Sequence, residues 1–159
     1  MDKKVLIDLL KLRELETCKN EAVDRNLLKD GTLKSIREQA TFLLTCRRCE
    51  DAPCINGCPA DALQKDDEGK INRALNLCIR CKSCVVICPF GTIMNDLFET
   101  KTSGYNYFDL SDENEMSEFA GSYPDNVVCI VDMDEDTENN IYKLSDRVLV
   151  KDFAWDMGD

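Results

Sequence analysis

The segment CIRCKSCVVICP, residues 78–89, sets Cys78, Cys81, Cys84 and Cys88 within eleven residues and closes on Pro89, in a chain that contains no histidine. Two-residue spacers turn the backbone so that three thiolates face one inorganic centre and the intervening N–H groups point inward at sulfur. Cys88, four residues further on and stiffened by Pro89, is badly placed as a fourth corner and is directed away, toward a second centre. A second block, CRRCEDAPCINGCP at 46–59, carries Cys46, Cys49, Cys54 and Cys58 and also ends in Cys-Pro. The blocks form an internal repeat, each followed by a short polar-to-apolar stretch, ADAL at 60–63 and FGTI at 90–93.

Other chemistry is open to clustered cysteines. Paired Cys-x-x-Cys hooks build structural zinc sites, which need neither a third cysteine two residues on nor a terminal Cys-Pro. Four disulfides would need an oxidising compartment.

On these residues, 41–95 resembles a bacterial two-cluster 4Fe-4S ferredoxin module. In that run the fourth cysteine ligates the other cluster. The resemblance therefore implies two 4Fe-4S clusters: Cys46, Cys49, Cys54 and Cys88 at the first, and Cys78, Cys81, Cys84 and Cys58 at the second. Four residues, EDAP, separate Cys49 from Cys54, where the simple ferredoxin loop has fewer. This C-x-x-C-E-x-A-P-C loop is similar to the iron–sulfur electron-transfer subunits of hydrogenase, formate dehydrogenase and tungsten- or molybdenum-dependent oxidoreductase complexes. Those subunits usually hold four clusters and open on a strand and a cysteine loop. Here VLIDLLKLRELETCKNEA, residues 5–22, has Leu12, Leu15 and Ala22 where ligands would stand, and Cys18 alone remains. Cys129 is likewise isolated in NVVCIVDM. The outer cluster sites are degenerate, and two clusters are expected.

The elements that must hold these loops follow from local pattern. KKVLIDL at 3–9 has the content of a strand, although its leucines could extend the following helix; Leu12, Leu15, Cys18 and Ala22 share one helical face. KDGT at 29–32 interrupts that helix, and LKSIREQATFLLT leads into the first block. ALQKDDEGKINRAL, residues 62–75, reads as two short strands joined at DDEG. Residues 103–126 are polar, aromatic and irregular. NVVCIVDM at 126–133 and DRVLVKDF at 146–153 read as the two strands of one hairpin over an acidic loop. The expected fold is α+β: a bacterial ferredoxin-like two-cluster core at 41–98, a degenerate ferredoxin-like N-terminal strand–helix extension at 1–40, and an acidic C-terminal β-hairpin extension at 99–159 that suits docking of a partner.

Charge is divided unevenly along the 159 residues. Residues 1–95 carry 16 Lys and Arg against 14 Asp and Glu, whereas residues 96–159 carry 4 against 17, a balance of −13. Such a field repels nucleic acid and suits a basic protein surface. No apolar run reaches the roughly 18 residues of a membrane span, so no direct membrane insertion is expected. The N-terminus lacks a secretory pattern, which points to the cytoplasm. Without histidine the commonest general base is missing, and no glycine-rich nucleotide fingerprint is present. Independent catalysis is not expected.

The resemblance implies an electron-transfer subunit relaying single electrons between an oxidoreductase catalytic subunit and another redox subunit or carrier, in an anaerobic cytoplasm. A free soluble ferredoxin with an acidic extension is the nearest alternative; a zinc-stabilised or cluster-sensing interaction module is the alternative of another class. Val85, Val86, Ile87 and Ile55 are the expected apolar surroundings of the clusters. Arg47, Arg48, Arg80 and Lys82 sit where positive charge would favour a reduced cluster, or are solvated loop charges. Tyr105, Tyr107, Phe108, Tyr123, Phe153 and Trp155 could anchor a partner or cover the module. Cys18 and Cys129 are expected as buried thiols. DMDEDTENNIYK at 132–143 starts like a calcium loop but has Thr137 at the glycine position and Lys143 at the glutamate position, so a solvated acidic loop is expected.

Overall fold

The computed structural model describes residues 3–17, 31–93 and 107–154. The chain divides into two compact units, one of residues 1–36 with 103–154 and one of residues 37–102 with 155–159.

The first unit is built on a four-stranded sheet. Strand β1 (Lys4–Asp8) lies between β4 (Val128–Val131), which it pairs antiparallel, and β6 (Val148–Lys151), which it pairs parallel; β5 (Ile141–Ser145) closes the other edge against β6, giving the order β4-β1-β6-β5. The parallel pair is the apolar heart of the sheet: Val5, Ile7, Leu149 and Val150 are fully buried. A strand buried on both faces reads as a continuous apolar run, as Val148-Leu149-Val150 does. The chain leaves β1 directly into helix α1 (Leu9–Thr17), whose start is capped by Asp8 Oδ1 accepting from Lys11 N at 3.0 Å. Leu12 is buried on this helix and Leu15 half-buried; Cys18 and Ala22, expected on the same face, lie outside the described residues.

Helix α2 (Gly31–Leu44) follows and runs into the first cysteine block. Gly31 admits the Tyr107 ring: a Cβ there would sit 2.5 Å from it. The region expected to be irregular contains helix α5 (Glu113–Gly121), capped by Asp112 accepting from Asn114 N and Glu115 N. Glu113 and Glu115 in its first turn suit the positive end of the helix dipole. Its buried Met116 and Phe119 face the core, and the Phe119 ring lies between Phe108, tilted with centroids 5.4 Å apart, and Tyr123, edge-on at 5.7 Å.

The C-terminal pairing differs from the hairpin expected of NVVCIVDM and DRVLVKDF. Both segments are strands, but β4 and β6 are separated by β1, and the hairpin joins β5 to β6 instead. The expected C-terminal hairpin extension and N-terminal strand–helix extension thus share one sheet. The acidic segment before β5 folds back on itself, with Asp136 Oδ1 capping a 3-10 turn at Thr137–Asn139 and Asp134 paired to Lys4.

In the second unit, short helix α3 (Pro53–Asn56) belongs to the first cysteine block and α4 (Ser83–Ile87) to the second, with the hairpin β2 (Leu63–Lys65) and β3 (Ile71–Arg73) between. The two strands joined at residues 66–69 are those read from sequence. Phe42, Leu63, Ile71, Cys84 and Ile93 form the buried core, with Cys46, Cys54, Ile55, Cys58, Cys78 and Val85 packed against it. Among the described residues no helix is long and apolar enough to cross a membrane.

Candidate iron–sulfur centre

The repeat in the cysteine spacing is also a repeat in backbone angles. Eight non-glycine residues among those described have positive φ, and five of them belong to the cysteine repeat. Arg48 (φ 53°) and Arg80 (φ 60°) each follow the first cysteine of their block by two residues. Ala52 (φ 36°) and Lys82 (φ 62°) each precede the third by two, and Asp61 (φ 50°) and Gly91 (φ 64°) each follow the fourth by three. Matching left-handed turns therefore survive although the first block carries two extra residues. A non-glycine residue in this conformation costs about 1–2 kcal/mol. Successive turns of this kind point their N–H groups into a concavity, the backbone arrangement of many anion and Fe–S sites.

One cavity is lined by Cys46, Cys49 and Cys54 of the first block and by Cys88 of the second. Its apolar walls come from Phe42, Ala52, Ile71 and Ile93. At its rim the Arg47 guanidinium lies 5.6 Å from the Phe90 ring centroid. Burial pushes the Cys54 thiol up, and the neighbouring Cys46 and Cys88 sulfurs push it further. Cys88 is pulled down overall: burial opposes the shift, but hydrogen bonds from the backbone of Thr92, Phe90 and Ile93 and from the Thr92 side chain outweigh it. The longer first loop is braced from outside, with Lys65 Nζ donating to the carbonyls of Cys49 (2.6 Å) and Glu50 (3.2 Å), and Asn56 Nδ2 donating to Asp51 O at 2.7 Å.

The second block brings Cys78, Cys81 and Cys84 together. Burial raises the Cys84 thiol to about 11, and the nearby Cys78 and Cys81 sulfurs add to the rise. Cys81 is exposed and its thiol is pulled down by hydrogen bonding to Ser83, whose Oγ lies 3.3 Å away. Cys58 packs against the core cluster that contains Cys84 and accepts from Ala62 N at 3.4 Å. Helices α3 and α4 pack together where Gly57 meets Ile87, and a Cβ on Gly57 would stand 2.8 Å from Ile87 Cδ1.

Not every expected neighbour is inside. Ile55 and Val85 pack on the core, but Val86 is 86% exposed and Ile87 42%, because α4 is one short turn with a single buried face. Sequence reading passed over Arg73 and Glu38. Arg73 Nε and Nη2 grip the Glu38 carboxylate, the second at 2.7 Å, and Nη1 donates to Cys78 Sγ at 3.3 Å. Burial alone would lower the Arg73 pKa, but the hydrogen bonds to Glu38 and Cys78 raise it overall. Cys129 in β4 is half-buried, its thiol pushed up by burial, and Cys18 lies outside the described residues.

These residues fit a 4Fe-4S group. Cys46, Cys49, Cys54 and Cys88 line one cavity, walled by apolar side chains and by the left-handed turn at Ala52. That is the arrangement suited to a polynuclear anion whose own sulfides fill the middle.

Comparison with known proteins agrees. The 4Fe-4S binding domain family model matches residues 75–94. The chain is 40% identical over 74 residues to an iron-sulfur protein of Rhodospirillum rubrum, covering 46% of this chain and 38% of that protein. It is 49% identical over 54 residues to hydrogenase-4 component A of Escherichia coli (strain K12), covering 33% and 25% respectively. It is 50% identical over 48 residues to the electron transport protein HydN of the same organism, covering 30% and 27%. The chain thus spans less than two fifths of the length of each of these relatives. The chain contains a ferredoxin-type iron–sulfur module, and residues 75–94 carry its 4Fe-4S binding domain.

Proposed function

We propose that this module holds two 4Fe-4S clusters and serves as an electron-transfer iron–sulfur subunit, relaying single electrons between an oxidoreductase catalytic subunit and another redox subunit or carrier. The observation that carries the proposal is the cavity shared by Cys46, Cys49, Cys54 and the distant Cys88. A thiol from the second block in the first block's cavity is what crossed ligation requires. Cys46, Cys49, Cys54 and Cys88 hold one cluster; Cys78, Cys81, Cys84 and Cys58 hold the other. Each cluster, when bound, supplies a reversible one-electron change.

The protein's own residues do the rest. Cys58 and Cys88 each tie one block to the other, so neither site can load fully without its neighbour's loop in place. Backbone N–H groups of Ile55, Ser83, Val85, Phe90, Thr92 and Ile93 are hydrogen-bonded to sulfur in loops shaped by left-handed turns at Arg48, Ala52, Arg80 and Lys82. The core of Phe42, Leu63, Ile71 and Ile93 keeps water from the buried sulfurs. The likeness to a hydrogenase component and to an electron transport protein supports a partner that is itself a redox enzyme. The excess of acid in residues 96–159 supports docking on a basic surface.

Iron and acid-labile sulfide measured on anaerobically purified chain test this reading. About eight of each per chain are expected for two 4Fe-4S groups. About four of each would limit the chain to one cluster, and zinc without sulfide would replace the relay with a zinc-held binding module.

A further inference from the structure

The two halves of the repeat differ five residues before their first cysteine. In the first block that position is Thr41 on α2, whose hydroxyl turns back to the helix and donates to Arg37 O at 2.8 Å. In the second it is Arg73 at the end of β3, whose Nη1 donates to Cys78 Sγ at 3.3 Å. The arginine side chain is 6% exposed and that of Glu38 10% exposed. Two bonds from one planar guanidinium to one carboxylate fix the fork, leaving its third edge directed at sulfur. The pair is neutral as a whole, but its positive end is the end at Cys78.

We propose that Arg73, held in position by Glu38, raises the reduction potential of the cluster bound by Cys78, Cys81 and Cys84. The inference rests on the two-cluster reading above. Its physical basis is that a charge-assisted N–H donated to a ligating sulfur favours the more negative, reduced form, and that hydrogen bonds to sulfur set cluster potential. Arginine suits the task because its charge does not depend on pH in the working range. Glu38 is a positioning residue whose own charge, one group further from sulfur, partly offsets the effect.

An EPR-monitored redox titration of the whole chain tests this on the wild type, Arg73→Gln, Arg73→Lys and Glu38→Gln. In the wild type two one-electron waves are expected. Arg73→Gln is expected to move one wave to lower potential by at least tenfold in its oxidised-to-reduced ratio, 59 mV for one electron, and to leave the other in place. Arg73→Lys keeps the charge without the fork and falls between. Glu38→Gln keeps one acceptor oxygen for the guanidinium but removes the offsetting charge, and moves the same wave in the opposite direction.

A merely structural role gives Glu38→Gln and Arg73→Gln shifts of the same sign, or moves both waves together; either result overturns the proposal, as do waves that stay where the wild type has them. Should Arg73→Gln fail to retain its clusters, the sign of the Glu38→Gln shift decides. A wild-type chain without sulfide overturns the two-cluster reading and this proposal together, whereas two wild-type waves that no variant moves overturn this proposal alone.

Discussion

At the scale of single residues, the thiols of one loop are held in opposite states. Cys84 is buried and raised to about 11, while Cys81, three residues earlier, is exposed and lowered by Ser83. Thiolate is the reactive form. In cluster-free protein at neutral pH, iodoacetamide is therefore expected to label Cys81 well before Cys84, which peptide mass spectrometry resolves; equal labelling would contradict it. The sign of the pH effect on stability follows from the same burial. The folded Cys84 pKa lies above its ordinary value of 9.0, so its contribution is full below about pH 9 and is lost as pH rises toward about 11. Urea unfolding of cluster-free protein should show the midpoint falling across that window. All eight cysteines of the repeat were legible from spacing, because short spacers and Cys-Pro steps are local features. Arg73 and Glu38 were not. A charged residue in a short strand reads as solvent-facing, and only a partner 35 residues away shows that it is buried.

At the scale of elements, the left-handed turns are the part of the site that substitution can probe without touching a ligand. Lys82 at φ 62° tolerates glycine, which adopts this conformation freely, and resists a β-branched side chain, which does not. Lys82→Gly is expected to retain the iron content of the wild type and Lys82→Val to lower it, measured after identical reconstitution. In the other unit, Phe119 is fully buried between two aromatic rings. Phe119→Ala should cost about 3–5 kcal/mol in denaturant unfolding of that unit. The hairpin β2–β3 was legible because its turn lies between its strands. The pairing of β1 with β4 and β6 was not, since Val5 meets Ile130 and Val148 across most of the chain length. Two apolar segments separated by an acidic loop imitate a hairpin, and nothing local reveals that β1 enters between them. Helix α5 hid for a related reason: its surface is polar and only Met116 and Phe119 are buried.

At the scale of the whole molecule, composition already separates a near-neutral cysteine-rich stretch from an acidic remainder, and a net charge of −11 follows the chain as a whole. Such a field steers small charged donors. Reduction by a cationic one-electron carrier such as reduced methyl viologen is expected to slow as salt is added, while reduction by anionic dithionite is expected to quicken. Stopped-flow absorbance at several ionic strengths reads both trends, and rates indifferent to salt would contradict them. No local signal in the sequence shows that β1 pairs with β6, because their shared sheet is assembled from strands that are each unremarkable alone.

The central claim is that two cooperating clusters occupy crossed cysteine sets. Stoichiometric reduction followed by EPR tests it most directly, counting electrons taken up per chain and recording the spectrum of the fully reduced protein. The account predicts two electrons and a spectrum broadened by two interacting spins, with Cys88→Ser and Cys46→Ser each abolishing the same component. One electron with a single isolated spin, or loss of different components in those two variants, would contradict it.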